Sequence, residues 1–598
     1  MIYHEILVVG GGLAGLRAAI EAHDAGCEVA VVSRVHPVRS HSVAAQGGIN
    51  AALGNHPEAA DDNPDKHAFD TVKGSDYLAD QDAVEILTRE APDRIFEMEH
   101  WGCPFSRTPE GKIAQRPFGG AGYPRCCYAA DRTGHALLHT MYEQTLKRHI
   151  KVYEEWQVVS LAVAEGRCYG LVALDLRTGR LEPMAAGAVI FGTGGAGRIY
   201  ARSTNNIINT GSGMAIAYMA GVPLKDMEFI QFHPTSLFGN NVLMTEGARG
   251  EGGYLRNALG ERFMARYAPK AMELAPRDIT ARAIQTEINE GRGFPGGYVH
   301  LDLTHLGAAK ILERLPAIRD IAINFTGVDP IKEPIPIQPG QHYFMGGIDV
   351  NADGLSEVAG FYAAGECSCV SVHGANRLGG NSLLETIVFG RRAGAHAAAY
   401  VKGEVGGGSA GGPAGGSAAG SAGGPAGASA GSGPGVPSRE EAERVVLGTL
   451  AQTRKRVEWV LNADGPEDPA ALRDELRENM FANVGLFREE KSMTKGLEKV
   501  RELRERYRRI GIRNHGRTYN LDWARNLELE GMLLVAEAIA AGALARKESR
   551  GSHFRTDYKE RDDVNFLKHT VARLGPDGPR LEWRPVTITK WQPQARTY

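Results

Sequence analysis

The chain opens on a short, continuous apolar run, EILVV at residues 5–9, which suits a strand buried on both faces. GGGLAG follows, then LRAAIEAHDAG with its apolar positions at helical spacing, then a second continuous run in EVAVVS. This predicts a strand, a helix and a second, parallel strand. The run-then-glycine pattern returns in AVIFGTGGAGRIY at 188–200 and in GFYAAGECSCV at 360–370. Three such segments, dispersed along the chain, predict one α/β domain built discontinuously with another domain inserted into it.

The rest of the pattern fills in that plan. Residues 231–345 have their own glycine turns, a charged helix in PRDITARAIQTEINEG and a strand in YVHLDLT. Beyond 438 the pattern becomes helical. Ser438-Arg439-Glu440-Glu441 reads as a capping box and Asp468-Pro469 as a second helix start. KVRELRERYRRI reads as a solvated charged face, with docking of a partner as the other reading. MLLVAEAIAAGAL, interrupted by Glu537, reads as a buried helix, and the last fifty residues as turns and short strands ending in RPVTITKW. The expected architecture is α/β: a Rossmann-like domain over 1–230 and 346–405, and a capping domain inserted at 231–345. A helical domain over 438–545 and a small C-terminal domain over 546–598 follow. The Gly/Ala/Ser/Pro stretch at 406–437 lacks the apolar content for a core and is expected to be a flexible linker.

Gly10, Gly12 and Gly15 stand at dinucleotide spacing between the first strand and helix: one for the tight turn, one for close approach to a pyrophosphate, one for helix–strand packing. The second strand ends in Ser33-Arg34 without the acidic residue that usually takes ribose hydroxyls, and Arg34 leaves a 2′-phosphate, hence NADP, open. The discontinuous build favours FAD. Residues 33–48, SRVHPVRSHSVAAQGG, combine small side chains with His36, His41 and a closing Gly47-Gly48 pair. Such a loop can lie along an extended cofactor; the plain alternative is a polar surface loop.

Composition narrows the class. With 43% hydrophobic and 23% charged residues over 598 positions, the chain is an ordinary globular one. A net charge of −3 gives no general basic field and excludes nucleic acid as the main partner. Seven scattered cysteines without a CxxC pair make no disulfide framework. Cys126-Cys127 and Cys367/Cys369 lack the companions of a metal site, so no metal is expected. The immediate start of the first strand predicts no leader, and no apolar run reaches the ~18–20 residues of a membrane span.

Candidate chemistry lies in segments with glycine or proline nearby: His233, Thr245, Glu246, Arg249, Arg277, His342 and Arg377. Arginines and histidines in this number suit a pair of carboxylates. Beside a flavin, a dicarboxylate site suggests hydride transfer from or to a carbon–carbon bond. Ordinary proton affinities make His233 or His342 the natural base.

RSHSVAAQGGI, DRTGHALLHT, TGGAGRIY, QFHPT, TEGARGEGG, ELAPRD, HYFMGG, GECSCVSVHGANRLGGNSLLE and RGSHFRTDYKERDD together resemble the flavoprotein subunit of succinate dehydrogenase and fumarate reductase, almost throughout the chain except the 406–437 stretch. The resemblance implies FAD joined covalently through its 8α-methyl to His41. It implies further FAD contacts from Gly10, Gly12, Gly15, Ser33, Arg34, Ser40, Gln46, Gly47, Gly48, Glu366, Ser382 and Leu383. It places substrate carboxylates on His233, Thr245, His342 and Arg377, with Arg277 exchanging the proton through a Glu246–Arg249 relay. It also implies succinate or fumarate as substrate, an iron–sulfur subunit, membrane anchors of cytochrome b type reaching quinone, and a peripheral place on the cytoplasmic side of the cell membrane. Two positions depart from the family pattern: Ser212 where Asp is common, and Ala248 where many members have Cys. The direction of the reaction stays open, as does an L-aspartate oxidase-like reading.

Overall fold

The computed structural model describes residues 1–406 and 435–597; residues 407–434 of the expected linker lie outside the described residues. Strand Ile2–Val9 is flanked in parallel by Val29–Ser33 and Arg180–Phe191, and Phe361–Ala363 lies parallel to the far end of Arg180–Phe191. The three run-then-glycine segments therefore share one sheet. Lys151–Glu154 extends it at one edge, and the hairpin Arg167–Asp175 and Trp156–Ala164 at the other. Ile6, Leu7 and Val8 are wholly buried because helices Leu13–Asp24 and Asn381–Val401 pack beside them. A Cβ at Gly15 would lie 2.0 Å from the Gly10 carbonyl oxygen, so only glycine lets the first helix come this close.

Strands Ile230–Leu237, Ile335–Phe344, Val299–Asp302 and Tyr254–Arg256 form a separate antiparallel sheet, as expected for the inserted segment. With helix Arg277–Asn289 it encloses its own core, including Leu255, Ile284, Leu301 and Ile337.

Four helices follow: Arg439–Leu461, Pro469–Asn483, Glu490–Tyr507 and Leu521–Ala545. Ser438 and Asp468 cap the first two, accepting from the Glu441 and Ala470 backbone N–H groups at 3.2 and 2.9 Å. The charged helix Glu490–Tyr507 is not merely solvated: Arg501 and Arg504 pair with Glu537, which lets that carboxylate sit inside the buried helix Leu521–Ala545.

The C-terminal hairpin, Lys568–Gly575 and Gly578–Pro585, joins a sheet with Leu224–Lys225 and Gly347–Asp349. The strand expected through RPVTITKW stops at Pro585. Beyond it the backbone N–H groups of Thr589, Lys590 and Trp591 donate to the Gln81 side chain instead of to a neighbouring strand.

Candidate active site

A cavity opens at the carboxyl ends of Ile2–Val9, Val29–Ser33 and Arg180–Phe191. In an open α/β sheet that is where a nucleotide cofactor binds. Gly10, Gly12, Ser33, Arg34, Ser40, His41, Glu366, Ser382 and Leu383 line it. Gly15, Gln46, Gly47 and Gly48 do not. Gly15 serves packing, and Gln46 Nε2 reaches across to the Leu243 carbonyl at 3.0 Å. At Gly47 and Gly48 a Cβ would meet Phe118 Cζ at 2.7 Å and Cys126 Sγ at 2.4 Å, so these glycines let the loop close on its neighbours. Trp156, Gln157 and Val158 from the outer hairpin also line the cavity. No sequence motif marks them.

The cavity fits a large anionic cofactor. Helices Leu13–Asp24, Ser212–Met219 and Asn381–Val401 all bring their first turns to its wall, and each starts from a glycine N-cap, Gly12, Gly211 and Gly380, with no side chain to cap the backbone. Three sets of N–H groups and positive dipole ends therefore face one space. Ser212, in place of the common Asp, lines the same wall. Burial pushes the Glu366 carboxyl up to about 8, against the pull of the Phe344 N–H, so at neutral pH it is mostly protonated and able to donate. Arg34 pairs with Glu528 from the helical region. That cation is already answered, which removes the argument for a 2′-phosphate and NADP.

His41 stands on the cavity wall, half-buried, with its Nδ1 accepting from the Asn206 N–H at 3.3 Å. Burial lowers its imidazole to about 4, so it is neutral, and with Nδ1 accepting the ring proton lies on Nε2.

A polar cluster lies beside the cavity, sharing His342 with it. Strands Ile230–Leu237 and Ile335–Phe344 run antiparallel with His233 opposite Gly340, which brings the His233 and His342 rings to 4.8 Å. Thr204 Oγ1 holds His342 Nδ1 at 2.8 Å. Arg277, at the first turn of Arg277–Asn289, donates from Nε to Glu246 Oε2 at 2.7 Å, while Glu246 Oε1 accepts from the Gly119 N–H at 2.6 Å. On the other side of Glu246 lies Arg249 NH2, 3.9 Å from Oε1. Thr245 caps the short helix Glu246–Gly250 through the Gly247 N–H at 3.1 Å and keeps its hydroxyl proton available. Arg377 lies over the Tyr343 ring at 4.4 Å. The structure thus gathers all seven candidate residues, His233, Thr245, Glu246, Arg249, Arg277, His342 and Arg377, through one connected set of strands and short helices. Gln231, absent from the sequence-based set, bonds both Arg277 and Arg377.

Burial, then the nearby arginines, holds His233 well below its ordinary proton affinity. His342 is lowered in the same way, by burial, His233 and the arginines. Burial alone would raise Glu246, but Arg277 and Arg249 outweigh it and keep the carboxylate ionised. Burial and Arg277 bring Arg377 down to about 9, so it still carries its charge at neutral pH. Buried Nε atoms of Arg249 and Arg377 have no hydrogen-bond partner. The cluster is a neutral histidine pair framed by cations, with one ionised carboxylate between two of them.

The FAD binding domain family matches residues 5–383, and the fumarate reductase flavoprotein C-term family matches residues 473–598. The fumarate reductase flavoprotein subunit of Mycobacterium tuberculosis is 43% identical, over 100% of this chain and 99% of its own. The succinate dehydrogenase flavoprotein subunit of Coxiella burnetii is 44% identical, over 98% and 96%. Among solved structures, a variant of E. coli quinol fumarate reductase FrdA superposes with a TM-score of 0.90 at 40% identity, covering 100% of this chain and 99% of that one. Mycobacterium smegmatis Sdh1 gives 0.80 at 36%, covering 98% and 95%. The chain therefore belongs to the FAD-dependent flavoprotein subunit family of succinate dehydrogenases and fumarate reductases.

Proposed function

We propose that this chain is the catalytic flavoprotein subunit of a succinate:quinone oxidoreductase and oxidises succinate to fumarate. The observation that carries the reading is the Arg277–Glu246 pair set beside Arg377, His233 and His342 at the edge of the cofactor cavity. Bound FAD supplies the hydride acceptor. Arg377 and His342 take one carboxylate and His233 and Thr245 the other, which fixes the reacting carbons; positioning of this kind is a large part of the rate. Arg277 removes the proton from the neighbouring carbon, and Glu246 and Arg249 carry it away. The histidines serve poorly as the base, because burial and the nearby arginines hold both well below the ordinary imidazole value. The same residues serve fumarate reduction in reverse.

His41 would hold the flavin covalently, and Nε2 is the nitrogen free for the bond, since Nδ1 accepts from the Asn206 N–H. An iron–sulfur subunit accepts the electrons, and membrane anchors of cytochrome b type pass them to quinone. The names of the relatives as flavoprotein subunits, and a similar quinol–fumarate reductase structure with menaquinol molecules, support this assembly. Among the described residues no helix is long and apolar enough to cross a membrane, so attachment runs through those partners, on the cytoplasmic side. Succinate-dependent reduction of a soluble dye by the FAD-loaded chain, blocked by malonate, tests the reading. Turnover of L-aspartate instead would replace it with an amino-acid oxidase.

A further inference from the structure

Gln231 holds two cations with one neutral atom. Its Oε1 accepts from Arg277 NH1 at 3.1 Å and from Arg377 NH2 at 3.0 Å. Its Nε2 donates to Asn376 Oδ1 at 3.0 Å and to the Arg377 carbonyl at 2.8 Å, which fixes which end of the amide faces the arginines. The side chain is wholly buried in strand Ile230–Leu237. Two guanidinium groups brought together repel, and a carboxylate between them would be the stronger glue. Glu246 pairs directly with Arg277 and Arg249 and acts on Arg377 only at longer range.

We infer that Gln231 is a positioning and specificity-determining residue for the reaction proposed above, on which this inference rests: it sets the spacing of Arg277 and Arg377 without cancelling the charge they present to a dicarboxylate. The charged groups of the cluster are Arg277, Arg377, Arg249 and Glu246, while His233 and His342 are neutral and Glu366, raised to about 8, is mostly protonated at neutral pH. Three arginines against one carboxylate leave two positive charges, the complement of a dianion. A glutamate at this position would have the same size and accept the same two bonds, while losing the two that Nε2 donates. It would leave a single positive charge and repel each incoming carboxylate.

The test uses the FAD-loaded enzyme and its Gln231→Glu and Gln231→Met variants. Malonate and its mono-amide, malonamate, are titrated at pH 7 through the flavin absorbance, and kcat and KM for succinate are measured. In Gln231→Glu the malonate Kd should rise about 10- to 100-fold, and the malonamate Kd by only about the square root of that factor, since a monoanion feels half the lost attraction. KM should rise more than kcat falls. Gln231→Met keeps the charge but loses the spacer, so kcat should fall about 10-fold or more while the two ligands weaken alike. Equal weakening of both ligands in Gln231→Glu, or wild-type constants in either variant, would overturn the inference. A wild-type enzyme that neither binds malonate nor turns over succinate overturns the underlying reading instead.

Discussion

Arg277 and Glu246 form a buried ion pair, Nε to Oε2 at 2.7 Å, and the Gly119 N–H clamps the other carboxylate oxygen at 2.6 Å. The clamp matters because it fixes the plane of the carboxylate, so one oxygen always faces the guanidinium. An arginine is a poor proton donor and acceptor in water. Held against an oriented carboxylate that contacts a second arginine, it has somewhere to pass a proton.

Replacing Glu246 with Gln should keep the side-chain shape, leave either the Gly119 N–H or Arg277 Nε facing an amide NH2, and remove the proton path. Turnover should fall at least about 100-fold with flavin content unchanged. Arg277→Lys and Arg277→Gln should behave likewise. Steady-state rates normalised to bound flavin check this, and near-normal turnover in any of the three rules out the relay.

His41 lines the cavity while its Nδ1 accepts from the Asn206 N–H. Acid precipitation of the wild-type holoprotein should leave yellow colour in the pellet and flavin mass on the His41 peptide. His41→Ser should release its flavin to the supernatant. Free flavin from the wild type contradicts the tether.

The sequence was most informative where chemistry needs a local pattern. The glycine turn after EILVV, the caps at Ser438 and Asp468, and the histidines of QFHPT and HYFMGG could all be read from neighbours in the chain. What it could not show are contacts made by distant segments. Gly119 lies 127 positions from Glu246, Arg34 lies 494 from Glu528, and Gln231 lies 146 from Arg377. Read alone, Arg34 left NADP open; the fold supplies the carboxylate that answers it. Likewise, the ionic partners of KVRELRERYRRI could not be seen until Glu537 was placed behind it.

All seven cysteines are buried and unpaired, and burial raises every one of their thiols; Cys103 and Cys168 reach about 12. Ala248, buried in helix Glu246–Gly250, puts no thiol between Glu246 and Arg249. Thiolate is the reactive form, so the native enzyme should keep full activity in iodoacetamide at neutral pH. Intact mass should show no adducts until denaturant is added, and then seven. Rapid inactivation would show an accessible thiol at the site.

His569 holds the C-terminal hairpin between Asp226, 2.7 Å from Nδ1, and Asp80, 3.2 Å from Nε2. Burial works against the charged imidazole, but the two carboxylates outweigh it and raise it to about 9 from an ordinary 6.5. The folded value exceeds the unfolded one. Its stabilisation, on the order of a few kcal/mol, is therefore complete below about pH 6.5 and lost as pH rises through 9. His569→Gln should melt below the wild type at pH 6, with the gap narrowing by pH 9.5. A gap independent of pH would contradict the ion pair.

The central claim is that the polar cluster delivers a dicarboxylate to the flavin. Anaerobic mixing of the FAD-loaded chain with succinate, followed by flavin absorbance and product analysis, tests it most directly. Bleaching of the flavin with formation of one fumarate per flavin, prevented by malonate and absent with L-aspartate, is the predicted result. Flavin that stays oxidised in succinate yet bleaches in L-aspartate would contradict it.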